Sequence, residues 1–76
     1  MKIIVKTIKG INIILNVNPT DSIDIIKDKI EYKEGTPSYG QCLIFSGKQL
    51  QKNNTLEDYN IEDNSIIRLV MRFNGS

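Results

Sequence analysis

Cys42 is the only thiol in the chain, and there is no histidine to activate it. A nucleophilic cysteine acts as its thiolate, normally with an imidazole or another cation beside it. Without histidine, neither a His-based triad nor a His metal site can be built. Asp24 and Asp28 have the spacing of neighbours on one helix face, but lysines flank them. They read as a solvated face rather than as a catalytic acid and base. Gly47-Lys48 matches a phosphate loop in those two residues only, because the earlier glycine would fall at Cys42 and the Ser/Thr at Gln49. The remaining chemistry is binding. Ile8, Ile44 and Val70 are aliphatic residues expected on the outside, and Gly47, Lys48 and Arg68 would rim them. An outward apolar group with a charged border suits protein docking. Scattered surface aliphatics are the plainer alternative.

Those residues need elements to hold them. Residues 2–7 alternate, with Ile3 and Val5 on one face, and Gly10 follows in a short loop that suits a hairpin. The return strand puts Ile13, Leu15 and Val17 on one side, and Asn18-Pro19 ends it. Ser22 can cap a helix, with Asp21 and Asp24 near its positive end. Ile23, Ile26 and Ile30 recur at helical spacing, and Gly35 with Pro37 stops the helix. A strand is expected over 41–45, a turn at Ser46-Gly47 and a brief return strand at Lys48 and Gln49. Thr55 can cap one helical turn leading to Tyr59, and a last strand covers 65–72 with Ile67 and Leu69 inward. One helix must therefore lie across the continuously apolar face of a mixed sheet, which is an α+β roll.

At 76 residues the chain is one small domain. Such a domain buries only about 60% of its unfolded surface, so its core must be dense. Isoleucine supplies that density. The net charge is +1 with both signs spread along the chain, which gives no global attraction to nucleic acid or to an anionic membrane. No apolar run approaches the ~18–20 residues of a membrane span, and nothing resembles a signal peptide. A single cysteine excludes an intrachain disulfide. A monomer is expected.

The run Leu43-Ile44-Phe45-Ser46-Gly47-Lys48-Gln49-Leu50 is followed by Thr55-Leu56-Glu57-Asp58-Tyr59-Asn60-Ile61. With Met1, Val5-Lys6-Thr7, Lys33-Glu34-Gly35, Pro37, Gln41 and Arg72, these segments closely resemble the ubiquitin family. The match is co-linear from Met1 to Gly75 without insertion or deletion. The resemblance implies a β-grasp domain over 1–72 and a flexible C-terminal tail over 73–76, with no enzymatic activity and no cofactor. It also implies that Ile8, Ile44, Gly47 and Val70, rimmed by Lys48 and Arg68, are the main docking site for ubiquitin-binding domains. Further implied partners are activating, conjugating and deconjugating enzymes of the ubiquitin pathway, in the cytoplasm and nucleus of a eukaryotic or host cell, or as a secreted bacterial mimic. Arg68 stands where the family has a histidine, which removes a titrating group from the surface. Met1, Lys6, Lys27, Lys29, Lys33 and Lys48 occupy the family's chain-acceptor positions, whereas Ile11 and Asp63 cannot accept.

The tail departs from the family. In the family, the activating enzyme adenylates the final glycine and transfers it to a thioester, which needs a narrow end free of side chains. Gly75 matches the penultimate glycine, but Ser76 adds a Cβ and a hydroxyl to the reacting residue. Arg72 is kept, Phe73 and Asn74 replace a leucine and an arginine, and Cys42, read as a surface or half-buried thiol, replaces another arginine of that contact. The expectation is a protein that is bound non-covalently and whose C-terminal conjugation is impaired. It would act as a decoy, chain terminator or acceptor. The alternatives are a working modifier, a domain excised from a larger protein, or an engineered end at Ser76.

Two further features bear on stability and contacts. Lys27 falls on the inward side of the helix, and the acid that pairs with it in the family is replaced by Lys52. Ile4, Ile14 and Ile66 should meet on the outer sheet face, where the family is mostly threonine with one phenylalanine. Cross-strand packing explains them, and a second contact surface is the sharper reading.

Overall fold

A computed structural model describes residues 1–72; Phe73, Asn74, Gly75 and Ser76, on which the tail expectations fall, lie outside the described residues. Strands β1 (Lys2–Thr7) and β2 (Asn12–Asn16) pair antiparallel, with Ile3 opposite Leu15 and Val5 opposite Ile13. Their loop is closed by Gly10 N–H to Thr7 O and Thr7 N–H to Ile11 O, both 3.0 Å. Gly10 takes φ 84°, the left-handed conformation this tight loop requires. The helix α1 (Ile23–Glu34) starts at Ser22, whose Oγ accepts from Ile25 N–H at 3.3 Å. The preceding N–H groups are taken by other segments: Ile23 donates to Asn54 O (2.8 Å) and Asp24 to Lys52 O (3.2 Å). The helix ends at Gly35, whose N–H donates to Glu31 O at 2.7 Å.

Strands β3 (Gln41–Phe45) and β4 (Lys48–Gln49) form a second hairpin. Ser46 (φ 52°) and Gly47 (φ 77°) both take the left-handed conformation, which marks the two-residue turn matched to strand twist. Before β5 comes a 3-10 turn, Glu57–Tyr59. Here Asp58 N–H donates to Thr55 Oγ1 (3.3 Å) and Thr55 N–H to Asp58 Oδ2 (2.8 Å), so Thr55 acts as the expected cap. The final strand β5 is Ser65–Met71. It ends one residue short of the expected end, although the Arg72 N–H still donates to Gly40 O at 2.7 Å in the β3–β5 register. A 3-10 turn at Ser38–Gly40, which the sequence reading did not anticipate, supplies that carbonyl.

The sheet order is β2-β1-β5-β3-β4, with β1 and β5 parallel at its centre. This is the mixed sheet with one helix across it that the β-grasp fold requires. Ile23, Ile26 and Ile30 of α1 are fully buried with Ile3, Val5, Leu43 and Ile67. Gln41 ties the layers at the far end of the helix: its Nε2 donates to Lys27 O and Thr36 O, both at 3.1 Å. At the sheet edge, Lys33 Nζ donates to Ile14 O (2.7 Å) and Lys29 Nζ to Asn16 O (3.1 Å), so two lysines cover the open carbonyls of β2. Among the described residues no helix is long and apolar enough to cross a membrane.

Lys27 is half-buried beside the core stripe rather than within it. Lys52 is exposed, and its carbonyl holds the first turn of α1. Lys52→Asp puts an acid at the positive helix end and restores the partner that the family resemblance implies for Lys27. It is expected to raise stability by about 0.5–1 kcal/mol, read as a shift in denaturant midpoint. Repeating it with Lys27→Met separates the two causes, because only the ion-pair part then disappears. Lys33 does not serve as the neutral control for this experiment, since it bonds β2. Lys9, exposed in the first loop, does. An unmoved midpoint would show that position 52 contributes no electrostatic free energy.

Candidate functional site

The candidate surface is assembled on the sheet face opposite α1. Ile44 on β3 is directly opposite Arg68 on β5, and Val70 is opposite Cys42. Period-2 alternation therefore puts Cys42, Ile44, Arg68 and Val70 on one face, while Leu43 and Leu69 point into the core. Ile44 and Val70 are half-buried. Ile8 is 76% exposed in the first hairpin loop. It joins the group through Arg68, because Ile8, Lys6, Thr7, Gly10, Arg68 and Leu69 line one surface groove of about 350 Å³.

Gly47 sits exposed in the turn between β3 and β4. Lys48 pairs with Phe45 and lines a groove with Ser46, Asp58, Tyr59 and Asn60. The residue opposite Ile44 is Gln49, which the sequence reading missed. The register of a two-residue turn is the signal that finds it, since it assigns Phe45 to Lys48 and Ile44 to Gln49.

Cys42 departs from the expected surface or half-buried thiol. It is 4% exposed, in the middle of β3 beside Val70. A side chain this short, held between paired strands, ends below the level of its neighbours. It leaves no accessible face for the enzyme contact implied by the resemblance. Arg72 is exposed immediately after β5. Among the described residues no cluster of three His, Cys, Asp or Glu is placed to hold a metal ion.

The structure also sorts the amines at the family's acceptor positions. Lys6 and Lys48 are exposed. Lys29 and Lys33 are engaged with β2 carbonyls, and the Met1 ammonium donates to Val17 O at 3.0 Å. Lys27 is half-buried. An amine must release its hydrogen bond and turn toward an electrophile to react. With a limiting acylating reagent, Lys6 and Lys48 are expected to react about two- to fivefold faster than Lys29 and Lys33, the value of one weak exposed hydrogen bond. Peptide mass mapping at early times checks this, and equal rates would show that the edge bonds do not hold the amines.

The mixed five-strand sheet with one helix across it defines a small β-grasp domain. The Ubiquitin family model matches residues 3–74, and the chain belongs to that family. It is 43% identical over 75 residues to the ubiquitin-like protein NEDD8 of Dictyostelium discoideum, covering 99% of this chain and 97% of that protein. It is 40% identical to ubiquitin-like protein 1 of Schizosaccharomyces pombe and to the NEDD8-like protein RUB3 of Arabidopsis thaliana. Each of these matches covers 99% of this chain and 96% of the relative.

Proposed function

We propose that this ubiquitin-like protein acts by being bound, through the face carrying Ile8, Ile44 and Val70 with Arg68, Gly47 and Gln49 around them. The carrying observation is that three separate segments, a hairpin loop, β3 and β5, bring aliphatic side chains around Arg68, with Lys6 paired beside it. Its partners are ubiquitin-binding domains and the enzymes of a ubiquitin-type pathway. On this reading the chain is substrate or ligand to those enzymes. In a chain ending at residue 76, serine would replace the glycine on which family activation takes place, and on that ground we read conjugation as impaired.

The test is a titration of the isotope-labelled chain with a ubiquitin-binding domain, followed by NMR. Amide shifts should centre on Ile44, Gly47, Arg68 and Val70. Shifts confined to α1 would overturn the assignment. The rim cation is an arginine, charged at every physiological pH. Affinity is therefore expected to change less than twofold between about pH 5.5 and 7.5, the interval in which a histidine would titrate. A fall of tenfold or more across that interval would show that another titrating group controls the surface.

A second reading has an observation in its favour. The relatives named NEDD8 or NEDD8-like align with this chain over nearly their whole length. On that reading the chain is itself a modifier joined through its C-terminus to substrate lysines. Charging by a ubiquitin-activating enzyme separates the two readings, with charging of the serine chain favouring the modifier.

A further inference from the structure

Helix α1 carries a second apolar stripe, apart from the one packed on the sheet. Ile25 and Tyr32 are two turns apart and so lie within about 20° of each other around the helix. Lys29, half-buried, lies between them. This stripe stands roughly 130° around the helix from the buried Ile23, Ile26 and Ile30. Ile25 is 45% and Tyr32 95% exposed. With Leu15, Asp28, Lys29 and Lys33 they line a groove of about 820 Å³ beside the β2 edge. The other exposed positions of α1 are Asp24, Asp28, Glu31, Lys33 and Glu34, all charged. Two large apolar side chains aligned on that otherwise charged surface are better explained by a partner that covers them than by solvation.

The charges beside the stripe specify that partner. Asp28 lies on one flank of it and Lys33 on the other. A uniformly acidic helix laid along the stripe would set like charge against Asp28, and a uniformly basic one against Lys33. A second copy of this chain answers both. When two copies of α1 run side by side in the same direction about a two-fold axis, each flank meets the opposite flank of the other copy. Asp28 then faces Lys33 of the second copy, while Ile25 meets Ile25 and Tyr32 meets Tyr32 along the seam. An antiparallel pair would set Asp28 against Asp28. Lys33 is already held in place, because its Nζ donates to Ile14 O at 2.7 Å, and an ammonium has donors left for a carboxylate. That bond and the one from Lys29 Nζ to Asn16 O occupy the β2 edge, which disfavours an added strand as the occupant of the groove. We propose that α1 is a self-association surface, which joins two copies of this chain through parallel helices along Ile25 and Tyr32. One 12-residue helix buries less than a stable dimer needs. The chain is therefore monomeric when dilute, as its sequence predicts, and pairs near millimolar concentration or where copies are held close together. The surface shares no residue with the Ile44 face.

The experiment is a dilution series of the isotope-labelled full chain followed by NMR, from about 2 mM to about 20 µM, the range in which weak association is read. Amide shifts are expected to move together at Ile25, Asp28, Tyr32 and Lys33, and to shrink as salt is added. Asp28→Lys sets like charges across the pair and should weaken association at least roughly tenfold. The exchange Asp28→Lys/Lys33→Asp restores opposite charges and should recover association to within about threefold of the parent. The double variant Ile25→Asn/Tyr32→Asn should remove the concentration-dependent shifts. It should bind a ubiquitin-binding domain as the parent does, so failure of this inference is visible apart from failure of the Ile44 reading. Shifts centred on Ile44 and Val70, or no concentration-dependent shift at millimolar protein, would overturn it. So would association that survives Asp28→Lys, or a charge exchange that recovers none of it.

Discussion

Ser76→Gly is expected to raise thioester formation with a ubiquitin-activating enzyme by on the order of 100-fold in a chain ending at residue 76, the cost associated with misplacing a reacting group by about 1 Å. The reason is steric and local. Adenylation and transfer take place at the carboxylate of the last residue, and in the family that residue is glycine. On the proposed reading, a serine Cβ would crowd the reacting carbon where the family carries only hydrogen. Phe73 and Asn74 would add a second obstacle, because they replace a leucine and an arginine of the family's tail. Restoration by glycine alone should therefore be partial, and restoring positions 73 and 74 as well should add to it. Single-turnover charging, read on a non-reducing gel, measures the effect. Efficient charging of the serine chain would sink the proposal of impaired conjugation and leave the modifier reading in its place. Cys42 offers an internal comparison. Its thiol is buried beside Val70, so Cys42→Ser should change charging little.

Ile44→Ala is expected to weaken binding to a ubiquitin-binding domain by about 1–3 kcal/mol, the range for truncation of a central anchor. At room temperature that is roughly a five- to 150-fold loss of affinity. Ile44 is the choice because it lies between Arg68 and Gln49 on the paired strands, whereas Ile8 sits in a loop. Being half-buried, Ile44 also contributes to the sheet, so the variant should lose some stability. Measuring the unfolding midpoint beside the affinity keeps the two effects apart. A folded variant with unchanged affinity would mean that this face is ordinary surface.

The fold and most element boundaries are legible in the residue pattern. Alternation in β1, β2 and β5 assigns Ile3, Val5, Ile13, Leu15, Ile67 and Leu69 to one face, and these residues are buried. The helical spacing of Ile23, Ile26 and Ile30 does the same for α1, bounded by Ser22 and Gly35. These signals are legible because burial of one face imposes a period, and capping imposes a residue type at each end. The residue pattern also determined the outward direction of Ile44, Arg68 and Val70, which follows from the same alternation. Tertiary structure alone decided which residues face one another across strands. Register made Gln49 rather than Lys48 the neighbour of Ile44, and it aligned Ile14, Ile4 and Ile66 in one row. Packing decided that Cys42 is covered, that Lys27 is only half-buried, and that Lys29 and Lys33 are spent on the edge of β2. Periodicity is a local property, fixed by bonded geometry within one strand or helix. Register, coverage and side-chain partners depend on residues distant in the chain, and their identity is settled only when the sheet closes on the helix.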